Sequence, residues 1–166
     1  MIFLPECFDY VGRNKEETIK NSHAEDDDYI QRYRSLASEL DIWLSLGGFH
    51  EKFTGTKVFN SHLIIDSNGQ TRAKYRKLHL FDIDIPGKVR VKETDITMPG
   101  NAVTPPVSTP CGVLGLSTCY DLRFMHLSSI LRSNGAQILT YPSAFTVTSG
   151  MDHWEVSFNS SASIIH

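Results

Sequence analysis

The chain is poor in cysteine: three in 166 residues, Cys7, Cys111 and Cys119, widely scattered and with no C-x-x-C pair among them. That excludes a disulfide framework and the usual zinc and dithiol redox motifs, and it favours a reducing compartment. Long hydrophobic runs are missing too, since stretches such as Ile138 to Phe145 fall far short of the roughly 18 residues that a spanning helix needs. No membrane partner is expected. Nor is a secretory signal, because no basic region and cleavage pattern follow Met1, and the cytoplasm is the expected location. Positive charge is in slight deficit, 16 Lys and Arg against 19 Asp and Glu for a net charge of -3, so nucleic acid is not an expected partner. There is no Gly-rich phosphate loop and no internal repeat, and only Ser157 to Ser163 approaches low complexity. What is present, 40% hydrophobic and 21% charged residues, reads as one globular domain or part of one.

Ile2-Phe3-Leu4, apolar and stopped by Pro5, reads as a short buried strand. The acidic run Glu25-Asp26-Asp27-Asp28 precedes Tyr29, Ile30, Tyr33, Leu36, Ala37 and Leu40 at helical spacing, and reads as a solvated helix entrance. Ile42 to Phe49 is the next strand, with Gly47-Gly48 marking a close approach of backbones. Val58 to Asp66 and Thr71 to Lys77 flank Ser67-Asn68-Gly69 and predict a hairpin. Asp82 to Pro110 holds five of the seven prolines and reads as a long irregular functional loop. Val113 to Thr118 is a strand, a helix with Phe124, Leu127, Ile130 and Leu131 on one face follows, Asn134-Gly135 caps it, and Gln137 to Tyr141 is again a strand. Strand, helix, strand occurs twice, which argues α/β architecture with part of the sheet parallel.

Three places carry chemistry. Glu6 closes the first strand, Lys77 sits in the apolar and aromatic run Tyr75 to Phe81, and Cys119 ends a strand where a helical pattern begins. A base, a cation and a thiol together suffice to attack a carbon–nitrogen bond. A thiol works as thiolate, and Glu6, Lys77 and the positive end of a helix beginning near Arg123 would each help to generate it. Cys119 is accordingly expected to be the most reactive thiol, with Cys7 and Cys111 inert. Rival motifs fail: Gly115 to Cys119 lacks the second glycine of a serine elbow, His50-Glu51 has no second histidine at metalloprotease spacing, and Pro110-Cys111 lacks the second cysteine of a zinc deaminase. No cofactor and no metal are expected.

The blocks FLPE, YRKLHLF and CYDLRF resemble those of the nitrilase superfamily of carbon–nitrogen hydrolases, whose sites are Glu-Lys-Cys. LSLGGFHE (Leu44 to Glu51), Ile85-Pro86-Gly87, Thr97 to Gly100, ILTYPSAF (Ile138 to Phe145) and His153-Trp154-Glu155-Val156 are similar to the branch of deaminated glutathione amidases, which is in some invertebrates fused to a fragile histidine triad domain. The resemblance runs from about Ile2 to Val156. It implies a four-layer α-β-β-α sandwich, a homo-oligomeric intact protein, and hydrolysis of a linear amide bearing carboxylate groups through a cysteine thioester. Glu6 would be the base, Cys119 the nucleophile, and Lys77 with the Tyr120 N–H the oxyanion donors. Glu93 would be a second carboxylate that positions the lysine or the substrate. Arg76 and Arg123 could attract a substrate carboxylate or hold the scaffold by salt bridges. His50, His79 and His153 are taken as structural.

Complete family domains start with another strand and helix and continue past Val156, so residues 1–156 are expected to be a partial domain, incomplete as a sandwich, and residues 157–166 a divergent tail. The alternative to an active amidase is a catalytically silent truncated chain that at most associates with full-length subunits. Locally, Met125-His126 stand where the family usually has Pro-Glu, which removes a residue suited to a first helical turn.

Overall fold

A computed structural model of the chain describes residues 1–87, 89–147 and 150–151; the His153 to Val156 block and the tail from residue 157 lie outside the described residues. β1 (Ile2–Phe3), α1 (Lys15–Lys20) and α2 (Asp28–Glu39) lead into three longer strands, β2 (Leu44–Thr54), β3 (Lys57–Ile65) and β4 (Thr71–Arg76). These form a sheet in the order β1-β2-β3-β4, parallel between β1 and β2 and antiparallel beyond. A separate ribbon pairs β5 (Asp82–Ile85) with β6 (Val89–Lys92). The second sheet is β7 (Val107–Thr109), β8 (Gly112–Leu116) and β9 (Ile138–Thr140), with α3 (Met125–Ser133) carrying the chain between the parallel strands β8 and β9. Among the described residues no helix is long and apolar enough to cross a membrane.

Alternation along the strands explains the layering. In β3, Leu63 and Ile65 join Ile30 and Ala37 of α2 and Leu44, Leu46 and Phe49 of β2 in one core. Ile64 points the other way, into a second core with Tyr75, with Leu114 and Leu116 of β8, and with Leu127 and Leu131 of α3. The first sheet is therefore buried on both faces, and β3 is buried almost throughout although Asn60, Ser61 and His62 stand among its apolar residues. The order α2, sheet, sheet, α3 is the α-β-β-α sandwich.

The turn between β3 and β4 is fixed by Asp66, whose carboxylate accepts the N–H groups of Asn68 and Gln70 at 2.9 Å each, while Gly69 takes φ 75°. Gly135 closes α3 at φ 94°. Four expectations need correction. Ile2 and Phe3 are paired in a strand yet 49% and 48% exposed, because β1 forms the edge of its sheet. On α3 the buried apolar residues are Leu127 and Leu131, while Ile130 faces outward and Phe124 precedes the helix as its N-cap, partly exposed and stacked on His79. The Asp82 to Pro110 segment contains the β5–β6 ribbon, bounded by a turn at Pro86-Gly87. Glu25 is no solvated entrance charge: it pairs with Arg34 at 3.1 Å and with Lys74 at 2.8 Å, tying α2 to β4.

Candidate active site

The same alternation delivers the site. Asn60, His62 and Ile64 share one face of β3, and Ala73, Tyr75 and Lys77 share one face along and just past β4; Lys77 and Asn60 therefore emerge together at the end of the second core. Glu6 reaches the same point from the first segment, where it bridges Gly48 in parallel register. That approach requires glycine. A Cβ on Gly47 would lie 2.0 Å from the Leu4 carbonyl oxygen, and one on Gly48 3.1 Å from the Glu6 Cα.

Lys77 is the centre of the arrangement. Its ammonium, in a side chain 2% exposed, lies 2.9 Å from Glu6 Oε1 and 2.9 Å from Glu93 Oε2. Burial pulls its pKa down, but the charges of Glu6 and Glu93 outweigh burial and hold it above the ordinary lysine value. Glu93 opens a 3-10 turn (Glu93–Asp95) after β6 and is anchored by the Phe81 N–H at 2.7 Å. Asn60, unremarked in the sequence reading, donates its amide to Glu6 Oε1 at 2.8 Å and Glu93 Oε1 at 3.2 Å. The signal was present: an amide between the apolar pairs Val58-Phe59 and Leu63-Ile64, two residues from a histidine on the same face.

Cys119 begins a second 3-10 turn (Cys119–Arg123) directly after β8 and takes φ 47°, a left-handed backbone that is costly for a residue with a Cβ. α3 starts only at Met125, so the nucleophile candidate lies on the turn and not at the end of the α-helix; the helix-dipole contribution expected from the sequence is correspondingly remote. The thiol hydrogen-bonds Glu6. Burial first, and then the Glu6 charge, push its pKa up to about 12 against the opposing pull of Lys77. In the resting site the sulfur therefore keeps its proton. Cys7, beside Glu6, is pushed up further by burial and by the charges of Glu6 and Asp9.

Two buried polar groups fix the turn. Asp121, fully buried, accepts the Tyr75 hydroxyl at 2.6 Å and the Thr118 N–H at 2.9 Å on Oδ2, and the His79 N–H at 3.1 Å on Oδ1, where His79 Nδ1 also lies at 2.7 Å. His62 donates from Nδ1 to the Ser117 carbonyl at 3.2 Å and accepts from the Ser45 hydroxyl at 2.7 Å. Burial lowers its pKa to about 4, so it is a neutral pin between the two sheets.

Glu6, Asn60, Lys77, Glu93 and Cys119 line a cleft of about 610 Å³. Tyr120 forms part of its wall, edge-on to Phe81 at 5.2 Å between ring centroids, and its N–H lies in a first turn that has no intrahelical acceptor for it. Arg123 is exposed and borders the cleft. Arg76 does not: it faces the other side of the sheet, bound to Glu51 through two nitrogens at 2.8 and 2.7 Å and lying 4.0 Å over the Phe59 ring. Its scaffold role is thereby decided. His50 is held by Asp9 and His79 by Asp121, while His153 lies outside the described residues. Among the described residues no group of three or more His, Cys, Asp or Glu side chains is placed to hold a metal ion.

A model of the carbon–nitrogen hydrolase family matches residues 1–163. The chain belongs to that family. It is 55% identical over 157 residues to the nitrilase and fragile histidine triad fusion protein of Caenorhabditis elegans, covering 93% of this chain and 36% of that protein. With the deaminated glutathione amidase of Rattus norvegicus it shares 49% identity over 160 residues, 94% of this chain and 49% of the other. The crystal structure of the C. elegans fusion protein superposes with a TM-score of 0.89 at 53% identity, covering 96% of this chain and 39% of that one. Saccharomyces cerevisiae Nit3, a member of branch 10 of the nitrilase superfamily, gives a TM-score of 0.78 at 29% identity, over 96% of this chain and 56% of its own. The hydrolase fold is thus shared with these structures, and the chain spans about half the length, or less, of these relatives.

Proposed function

We propose that this hydrolase chain is an amidase that cleaves a small linear amide to acid and ammonia through a thioester on Cys119, with a substrate of the deaminated glutathione class. The observation that carries the reading is the ammonium of Lys77 held between two carboxylates beside a thiol that is protonated at rest. Such a thiol needs a base at the moment of attack. Glu6 takes the proton from Cys119, the sulfur bonds to the amide carbon, and the carbonyl electron pair moves to oxygen. Two of the three Lys77 protons are engaged by Glu6 and Glu93, which leaves one for that oxyanion, and the Tyr120 N–H is the second donor. When the tetrahedral intermediate collapses, the carbon–nitrogen bond breaks and Glu6 returns its proton to the leaving ammonia. Glu6 then deprotonates water for attack on the thioester, and the proton goes back to sulfur. Glu93 keeps Lys77 aimed, and Arg123 at the rim attracts a substrate carboxylate. A homo-oligomer in the cytoplasm is the setting that fits this reading.

The test is ammonia release from deaminated glutathione and from α-ketoglutaramate, with Cys119→Ser alongside. Turnover abolished by the serine supports the reading, and a preference between the two amides defines the substrate. A folded chain that releases ammonia from neither fits the silent-chain alternative instead.

Thiol labelling gives a second prediction, which reverses the order expected from the sequence. Cys111 is exposed on the turn between β7 and β8, whereas Cys119 lines the cleft with its pKa raised. Iodoacetamide is expected to modify Cys111 first, and substrate to protect Cys119 alone. Mass spectrometry of partly labelled protein decides; substrate protection at Cys111 and none at Cys119 would contradict the assignment.

A further inference from the structure

We infer that Asn60 is a positioning residue that decides which oxygen of Glu6 handles the proton, by occupying Oε1 and leaving Oε2 to the Cys119 thiol. The inference deepens the amidase reading above and rests on it. Asn60 holds three members of the site at once. Its side-chain amide donates to Glu6 Oε1 at 2.8 Å and to Glu93 Oε1 at 3.2 Å, and its backbone carbonyl accepts the Lys77 N–H at 2.9 Å.

The orientation of the amide is forced. Turned over, its oxygen would face two carboxylate oxygens, and neither Glu6 nor Glu93 would keep its donor. In the orientation adopted, Asn60 Oδ1 is buried without a hydrogen-bond donor among the described residues. A buried, unpaired acceptor is a sizeable cost for a side chain to carry. Position 60 thus gives up one hydrogen bond in order to aim both N–H groups at the two acids. Gly48 is part of the same device, because a Cβ there would come within 2.8 Å of that oxygen.

The consequence lies in Glu6. Oε1 accepts from Lys77 at 2.9 Å and from Asn60, and is saturated. Oε2 accepts the Ala144 N–H at 3.0 Å, an N–H that also reaches the Cys119 sulfur, so Oε2 is the oxygen on the thiol side. Without Asn60, Glu6 could rotate to share both oxygens with Lys77, and its ionised form would lose a donor. The charged and titratable groups facing Glu6 are Lys77 past β4, Cys119 on its turn, Cys7 and Asp9 on its own segment, and Glu93 across Lys77.

The experiment compares the parent chain with Asn60→Asp and Asn60→Leu. It reads ammonia release against pH and, independently of turnover, the rate at which iodoacetamide alkylates Cys119 against pH. Removing a donor to a carboxylate raises the pH at which that carboxylate protonates, so the acidic limb of both profiles is expected to move up by roughly one unit. The shift should be larger for Asn60→Asp, which adds a third acid around one ammonium. Turnover should fall about 10–100-fold with KM within about threefold, since the contact bears on the proton and not on substrate. A residue that only fills space predicts the opposite order, with the same-shaped aspartate close to the parent and leucine worse. That order, or an unmoved acidic limb in folded variants, overturns the inference. Asn60→Ser replaces either variant that circular dichroism finds unfolded. If the parent releases no ammonia the amidase reading fails, while the alkylation profiles still report on Asn60.

Discussion

Lys77→Met is expected to lower kcat/KM by at least about 10³-fold and to destabilise the chain by about 3–5 kcal/mol at neutral pH. In the mechanism proposed, the first effect follows from losing an oxyanion donor. The second follows from the acids left behind. Methionine fills the volume, but it leaves Glu6 and Glu93, 7% exposed and part-buried, facing one another across Asn60 with no cation between them. Two such acids relieve the repulsion by binding a proton that the unfolded chain, at neutral pH, does not bind. The stability of the variant should therefore recover as pH falls from about 7 toward 5, a direction in which the parent has nothing comparable to gain. Lys77→Arg retains the charge but not the compact ammonium, and should restore stability more than turnover. Thermal melts at the two pH values and initial rates of ammonia release check both halves. Near-parental turnover in the methionine variant would mean that another donor holds the oxyanion.

Much of the fold was legible because its signals are local. The recurrence of Ile30 and Ala37 on one face of α2, the Ser67-Asn68-Gly69 turn and the Asn134-Gly135 cap each act over a few residues, and each stands where it was expected. The ribbon was missed for a different reason. Asp82-Ile83-Asp84-Ile85 and Val89-Arg90-Val91-Lys92 alternate with a period of two, but the density of prolines around them was given more weight than that period. Exposure of Ile2 and Phe3 could not be read at all, since apolar composition does not reveal whether a strand stands inside a sheet or at its edge.

In the site, residue types pointed to Glu6, Lys77 and Cys119 because a strand end followed by a charged or nucleophilic residue is itself a pattern. The groups that orient them leave weaker traces. Asn60 and Asp121 act through partners 54 and 46 positions away, distances across which no periodicity operates. Both can still be suspected from one rule: a polar residue on the buried face of a strand or turn needs an interior partner. The state of the thiol was the least legible feature. Sequence supplies the neighbours of Cys119, but whether burial or the nearby cation prevails depends on how closely the cleft walls approach, and here burial and Glu6 prevail.

Asp121→Asn should be nearly as damaging as loss of a reacting group, although Asp121 touches none of the reacting atoms. Its two oxygens face four donor positions: Oδ2 the Tyr75 hydroxyl and the Thr118 N–H, Oδ1 the backbone N–H and the ring Nδ1 of His79. An asparagine has one acceptor oxygen, so either the Thr118 N–H or the His79 N–H must face an NH2. A buried donor set against a donor costs about 1–3 kcal/mol, and loss of the charge from the bonds that remain raises the total to about 2–4 kcal/mol. For a chain of this size that corresponds to a Tm lower by roughly 5–15 °C. The kinetic consequence comes from what the carboxylate joins. Tyr75 belongs to β4, which delivers Lys77, and its hydroxyl also accepts the Leu78 N–H at 3.1 Å; Thr118 immediately precedes Cys119. Asp121 thus sets the separation between the ammonium and the sulfur, and a displacement of about 1 Å there is enough to lower kcat about 10²-fold. Tyr75→Phe, which deletes one of the four donors and leaves the carboxylate in place, should produce a smaller loss of about 1–2 kcal/mol and a correspondingly smaller kinetic change. Burial and the Asp121 charge keep that phenol protonated at every accessible pH, so its contribution should not titrate. Melts and initial rates on the two single variants and on the double variant provide the cycle. If Asp121 acts through Tyr75, the double variant will lose less than the sum of the single losses; simple additivity would place the two residues in separate roles and would remove Asp121 as the link between nucleophile and lysine.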